Sequence, residues 1–135
     1  MDNLTKAQRS ERMSRVKVSD TRPEMKVRRL VHGMGFRYKL HDKSLPGKPD
    51  LAFSGRRKVI FVHGCFWHRH KGCGRLPKSN LDFWIPKLET NAQRDRTTIS
   101  MLHRLGWRVM IIWECEVDSS RLKRRLQRFL EDEGV

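Results

Sequence analysis

Two four-residue runs, "VIFV" from Val59 to Val62 and "VMII" from Val109 to Ile112, are apolar at every position. A strand with one wet face alternates apolar and polar residues. An unbroken run belongs in a sheet covered on both faces, which requires helices on either side. The two runs therefore predict an α/β chain whose central strand is Lys58 to His63, with a second buried strand from Trp107 onward.

The remaining elements follow from local chemistry. Thr21 with Glu24 three residues later matches a capping box, Pro23 suits a first turn, and Val27, Leu30, Val31 and Met34 recur at helical spacing. Gly33 and Gly35 end that helix. "FRYKL" predicts a short strand, "HDKSLPGKPD" a turn region and "LAF" a second strand. Leu81 to Leu105 predicts one or two helices, broken or bent near Pro86, with Ile99, Leu102 and Leu105 on the later buried face. Ser119 or Ser120 is expected to cap a last basic helix. The order α-β-β-β-α-β-α gives a small mixed sheet flanked by helices. Residues 1–20 are polar and basic and are expected to form an arm that orders on a partner; residues 21–135 form a single domain.

Charge bounds the partner. Thirty Lys and Arg face fifteen Asp and Glu, a formal net charge of +15, which favours a polyanion, nucleic acid foremost. No apolar run approaches the ~18 residues of a membrane span, and no export signal follows the polar N-terminus, so the chain reads as cytosolic. Three cysteines in such a chain favour metal ligation or buried thiols over a disulfide framework.

Two constellations carry chemistry. Cys65, His70 and Cys73, spaced C-x4-H-x2-C, supply three ligands of a tetrahedral zinc site just beyond the Val59 to His63 strand. Cys115, past the end of the other apolar strand, is the fourth if the two strands are neighbours. His68 is an alternative nitrogen ligand, and ordinary buried thiols are the competing explanation for Cys65 and Cys115. The second constellation is Pro49-Asp50 before a strand, followed by Val59 to His63. Pro-Asp and then a strand is half of a nuclease pattern in which carboxylates hold Mg2+ against a scissile phosphate. The places of the usual acid and lysine are here filled by Phe61, Val62 and His63. Alone, Pro-Asp is also a common turn.

In order along residues 21–115, "SLPGKPD", "VIFVHGCFWHRH", "DFW" with "RDR", and "LGWRVMIIWEC" resemble the very-short-patch-repair (Vsr-type) DNA mismatch endonucleases. The resemblance implies a restriction-endonuclease-like fold with a structural zinc. It implies an enzyme that nicks one strand of double-stranded DNA 5′ to the thymine of a T:G mismatch, the product of 5-methylcytosine deamination. It also implies Mg2+, as two ions, a bacterial nucleoid-associated setting, and a functional link to a cytosine-5 methyltransferase and mismatch-repair proteins. A monomer is expected. Position by position, Asp50 corresponds to the Mg2+ ligand, His63 and His68 to catalytic histidines, and Glu24 to an active-site acid. Cys65, His70, Cys73 and Cys115 correspond to the zinc ligands, and Phe66, Trp67 and Trp84 to aromatics that wedge into the duplex. Val62 stands where the family pattern has threonine, so a metal contact there is expected through its backbone carbonyl. On this reading His68 is the general base or organises the attacking water, while His63 holds metal-bound water or assists the leaving oxygen.

Other residues have plainer explanations. Glu24 is accounted for as a capping-box partner, and Trp107 and Trp113 as core. Asn91, Arg94, Asp95 and Arg96 share a helix beyond Trp84 and are expected to reach the phosphate or the mismatched pair. His32, His41 and His103 are assigned no function. The rival classes are a restriction-type or other site-specific endonuclease cutting matched DNA, and a zinc DNA-binding module without catalysis.

Overall fold

The computed structural model describes residues 21–65, 68 and 81–132. The sheet has four strands, β1 (Lys39–Leu40), β2 (Leu51–Phe53), β3 (Lys58–His63) and β4 (Arg108–Trp113), in the order β1-β2-β3-β4. β2 pairs antiparallel with β1 and β3, whereas β3 and β4 are parallel, with Val59 opposite Val109 and His63 opposite Trp113. A parallel pair needs a long crossover. It contains the helix α2 (Leu81–Arg104), which follows α1 (Arg22–Gly33) and precedes α3 (Leu122–Glu131). The element order is the expected one, and β3 is central.

Period-two alternation divides the core. Ile60, Met110 and Ile112 face α1 and α3, through Val27 and Val31 of the first helix and Leu122, Leu126 and Leu130 of the last. Val59, Phe61 and Ala52 point to the other side, toward Leu102 of α2. Thus a run apolar at every position is explained by a covered sheet, as the sequence predicts.

α1 begins as expected: the Thr21 hydroxyl accepts a hydrogen bond from the Glu24 N–H at 3.4 Å. It ends with Gly35 at φ +93°, its N–H bonded to the His32 carbonyl at 3.0 Å. The buried face also carries Glu24 and Arg28, which a purely structural helix would leave in water.

Several expectations need correction. "FRYKL" is a strand only at Lys39–Leu40; Phe36 and Tyr38 instead pack on the core, and the Tyr38 hydroxyl bonds the Arg28 carbonyl at 3.3 Å. α2 runs unbroken through Pro86, in its second turn, where Thr90 Oγ1 donates to the Pro86 carbonyl at 2.9 Å. Leu102 is buried, but Leu105 lies past the helix end and is 53% exposed. β4 alternates, with Met110 and Ile112 buried and Val109 and Ile111 half-buried, because it pairs only with β3 among the described strands. The N-cap of α3 is Arg121 rather than either serine; Ser119 Oγ accepts from the Arg121 N–H at 3.2 Å.

Candidate active site

The site lies where β2 begins and β3 ends. The turn before β2 is fixed by its own bonds: Asp42 N–H to the Pro49 carbonyl (3.3 Å), His41 N–H to the Asp50 carbonyl (3.2 Å) and Lys48 N–H to the Leu45 carbonyl (3.2 Å). Gly47 holds φ +75°, and a Cβ there would collide with the Thr98 side chain on α2. This turn delivers Asp50 against β3. Pairing between β2 and β3 ends at Leu51 opposite Ile60, and the N–H of Val62 beyond it donates to Asp50 Oδ2 at 2.7 Å. Burial raises the Asp50 pKa above its ordinary value, opposed by the Val62 N–H and by positive charge from His41, Arg28 and His68.

Around Asp50 stand Glu24 and His41. His41 Nε2 is 3.0 Å from Glu24 Oε2 and 3.9 Å from Asp50 Oδ1, and ligand atoms of the three residues lie within 4.8 Å of one another. Arg28 pairs with Glu24 one turn along α1, and its Nη2 is 3.3 Å from His41 Nε2. Of the expected capping box the Thr21 half is formed, with the Glu24 N–H donating to Thr21 Oγ1, while the Glu24 carboxylate faces the site, paired with Arg28 and His41.

A second group sits at the C-terminal end of β3. His63 and His68 stack at 3.8 Å between ring centroids, 5° from parallel, and Trp113 meets His63 edge-on at 5.2 Å. His68 Nδ1 is 2.5 Å from Asp95 Oδ2 on α2. Such a carboxylate–imidazole pair fixes ring orientation and tautomer, leaving Nε2 to take a proton. Burial pushes the His63 pKa down to about 4, assisted by the charge of His68 and resisted by Asp95. His63 Nδ1 is buried and has no hydrogen-bond partner among the described residues.

Of the sequence-predicted residues, Asp50 and Glu24 meet in one group and His63 and His68 in the other; Asp50 bonds the N–H of Val62, the neighbour of His63 on β3, and the charge of His68 acts on Asp50. Val62 shows its N–H at the site, donating to Asp50 Oδ2. Asp95, grouped in the sequence with Asn91, Arg94 and Arg96, is the one bonded to His68. Trp84 is half-buried, with Phe83 edge-on at 5.1 Å and the Lys87 ammonium 5.8 Å from its ring; Asn91 is half-buried and Arg94 exposed on the same helix. Trp107 packs beside the Leu102 cluster, while Trp113, expected in the core, lines the histidine pair. Cys65 is buried and Cys115 exposed, two residues beyond the paired His63 and Trp113 of adjacent parallel strands. Phe66, Trp67, His70 and Cys73 lie outside the described residues.

Sequence reasoning passed over His41 and Arg28. Arg28 had a signal, since it follows Glu24 by one turn on the apolar face of α1. His41 had none, because its place depends on backbone pairing to Asp50.

A mixed sheet with an Asp-bearing turn beside its central strand is a nuclease-type α/β architecture. The catalytic domain of the homing endonuclease I-Bth0305I shares this fold, with a TM-score of 0.56 at 23% identity over 82% of this chain and 94% of that one. The chain belongs to the Vsr family: residues 1–75 match the family described as DNA mismatch endonuclease Vsr. It is 49% identical to the type II nicking enzyme V.XorIIP of Xanthomonas oryzae pv. oryzae, over 96% of this chain and 97% of that protein. To the DNA mismatch endonuclease Vsr of Escherichia coli it is 40% identical, over 96% and 88%. V.NmeAIP, a type II nicking enzyme of Neisseria meningitidis, is 39% identical over 97% and 95%. The chain is thus a DNA nicking endonuclease, a phosphodiester hydrolase with DNA as its substrate. Among the described residues, no helix is long and apolar enough to cross a membrane.

Proposed function

We propose that the enzyme nicks one strand of duplex DNA 5′ to the thymine of a T:G mismatch left by deamination of 5-methylcytosine, starting a short repair tract. The observation that carries this reading is the convergence of Asp50, locked to the Val62 N–H, with a His68–Asp95 pair in a member of the Vsr family. The reading also places the enzyme at the bacterial chromosome, alongside a cytosine-5 methyltransferase and mismatch-repair proteins, and acting as a monomer.

The residues fit a divalent cation. Two carboxylates, Asp50 and Glu24, face one another within 4.8 Å, and burial that makes an ionised Asp50 costly would be offset by positive charge beside it. Mg2+, as two ions held by Asp50 and the Val62 carbonyl, would supply charge against the developing negative charge of the phosphate. The chain's own groups do the rest. His68, held through Nδ1 by Asp95, presents Nε2 as base toward water. His63, neutral at pH 7, offers one N–H and one lone pair to orient a water or the leaving oxygen.

Zinc is proposed to join Cys65 and Cys115, brought to the ends of neighbouring strands, with His70 and Cys73. Anchored so, Phe66 and Trp67 would be presented to the duplex together with the half-buried Trp84. Unstacking a base step costs a few kcal/mol, least at a weakened pair such as T:G, which makes the mismatch the cheapest place to wedge.

End-labelled duplexes differing only in T:G against a matched pair test the reading. Nicking is expected on the thymine strand of the mismatched duplex in Mg2+. Asp50→Ala is expected to abolish it while DNA affinity stays intact or rises, because a negative charge near phosphate has gone. Equal nicking of matched duplex would sink the substrate assignment, and cutting of both its strands would favour the restriction-type alternative. Near wild-type nicking by Asp50→Ala would sink the site assignment.

A further inference from the structure

We propose that His41 is a third metal-binding residue of the Asp50 site, giving it one imidazole nitrogen among carboxylate oxygens and a preference for Mn2+ over Mg2+. The proposal rests on the reading of Asp50 as the holder of the catalytic cation.

Geometry brings His41 there from outside any regular element. Its backbone sits at φ +46°, a region that residues with a side chain seldom adopt and that histidine tolerates better than most. The conformation is held by the His41 N–H bond to the Asp50 carbonyl, 3.2 Å, and by the neighbouring Asp42 N–H bond to the Pro49 carbonyl. The residue that presents the imidazole is therefore tied by main chain to the residue that presents the carboxylate. Backbone strain of this kind persists where surrounding structure fixes it, often at a functional site.

The hydrogen-bonding demands on Nε2 point the same way. Within 3.3 Å it meets Arg28 Nη2, which only donates, and within 3.0 Å Glu24 Oε2, which only accepts. One nitrogen cannot carry a proton for the carboxylate and a lone pair for the guanidinium at once. With its proton toward Glu24, Nε2 leaves Arg28 to donate to Glu24 alone; a cation between Nε2, Glu24 and Asp50 would instead take the Nε2 lone pair, while Glu24 keeps its pairing with Arg28. The approach is open on one side, since the His41 side chain is 28% exposed and that of Asp50 16%, against 3% for Glu24.

Donor chemistry sets the selectivity. Mg2+ prefers oxygen and water, whereas an imidazole nitrogen favours first-row transition cations. A site of two carboxylates and one histidine should therefore bind Mn2+ more tightly relative to Mg2+ than carboxylates alone.

The test uses the full-length, zinc-loaded protein without DNA, titrated with MnCl2 and MgCl2 by calorimetry, with pulsed electron paramagnetic resonance of bound Mn2+ reporting nitrogen coupling. His41→Asn suits the comparison because asparagine also tolerates positive φ; His41→Gln is the second variant if circular dichroism shows a fold change. The Mn2+ dissociation constant is expected to rise about 10-fold, the size typical of a lost metal-site residue. That for Mg2+ should change by less than about 2-fold, and the nitrogen coupling should vanish. An unchanged ratio with retained coupling, or coupling lost only in His68→Asn, overturns the proposal. Asp50→Ala separates the two failures. If it abolishes Mn2+ binding while His41→Asn does nothing, the Asp50 reading stands and the part of His41 falls; if neither variant affects binding, the Asp50 reading itself fails.

Discussion

His63 is kept neutral by its position: the residue is 6% exposed, its ring is stacked on one aromatic ring and edged by another, and its pKa falls to about 4. An unfolded histidine titrates near 6.5, so between those values the unfolded chain binds the extra proton. Stability therefore rises with pH across that window and is lost as pH falls through it, by up to about 3 kcal/mol from this residue. Urea melts at pH 7 and pH 4.5 should show that loss, and His63→Gln should shrink the difference between the two pH values; an undiminished difference would place the acid sensitivity elsewhere. His68 differs because it has a carboxylate partner. Asp95→Asn puts an amide that can also donate where His68 needs only an acceptor, favouring the wrong tautomer. Single-turnover nicking should drop about 10–100-fold with DNA affinity unchanged, as for loss of a group that orients a catalytic side chain. A parallel loss of affinity would mean that Asp95 serves DNA binding instead.

At the scale of elements, the site depends on three segments meeting at one end of the sheet, and α3 fixes the other end. Lys58, at the start of β3, is 3% exposed, and its ammonium donates to the Phe129 carbonyl at 2.5 Å, the Leu130 carbonyl at 3.3 Å and the Asp132 carbonyl. Arg56 adds a bond to the Leu130 carbonyl at 2.9 Å. These are the carbonyls a helix C-terminus leaves without intrahelical partners, and a positive charge there also suits the helix dipole. Lys58→Met should fill the space but leave the Phe129 carbonyl without its lysine donor, lowering stability by about 2–3 kcal/mol in chemical denaturation. Because Lys58 and His63 lie at opposite ends of β3, nicking well below the melting transition should persist. A lost activity with unchanged stability would contradict this division of labour.

At the scale of the molecule, what could be read from sequence was what is local. β3 declared itself by an unbroken apolar run, α1 by Thr21 and its spacing, and Asp50, His63 and His68 by a resemblance spread over most of the chain. What escaped depended on contacts between distant segments. Nothing local tells that β4 has a single described neighbour, that Leu105 falls past the helix end, or that an αL turn folds His41 over Glu24. The zinc expectation lies between these cases. Its spacing is local, but its fourth ligand required β3 and β4 to be parallel neighbours, and the His63–Trp113 pairing brings Cys65 and Cys115 two residues beyond matched positions. If zinc joins them, it ties the loop after β3 to the end of β4, so its binding energy is also folding energy. Elemental analysis should then find one zinc per chain, and Cys115→Ser should lose it and lower the melting temperature. The variant should also lose discrimination between T:G and matched duplex before it loses its secondary structure, because the aromatics beyond Cys65 would no longer be held. A folded, active preparation without zinc would return Cys65 to the core as an ordinary buried thiol and leave the proposed wedging at the mismatch to Trp84.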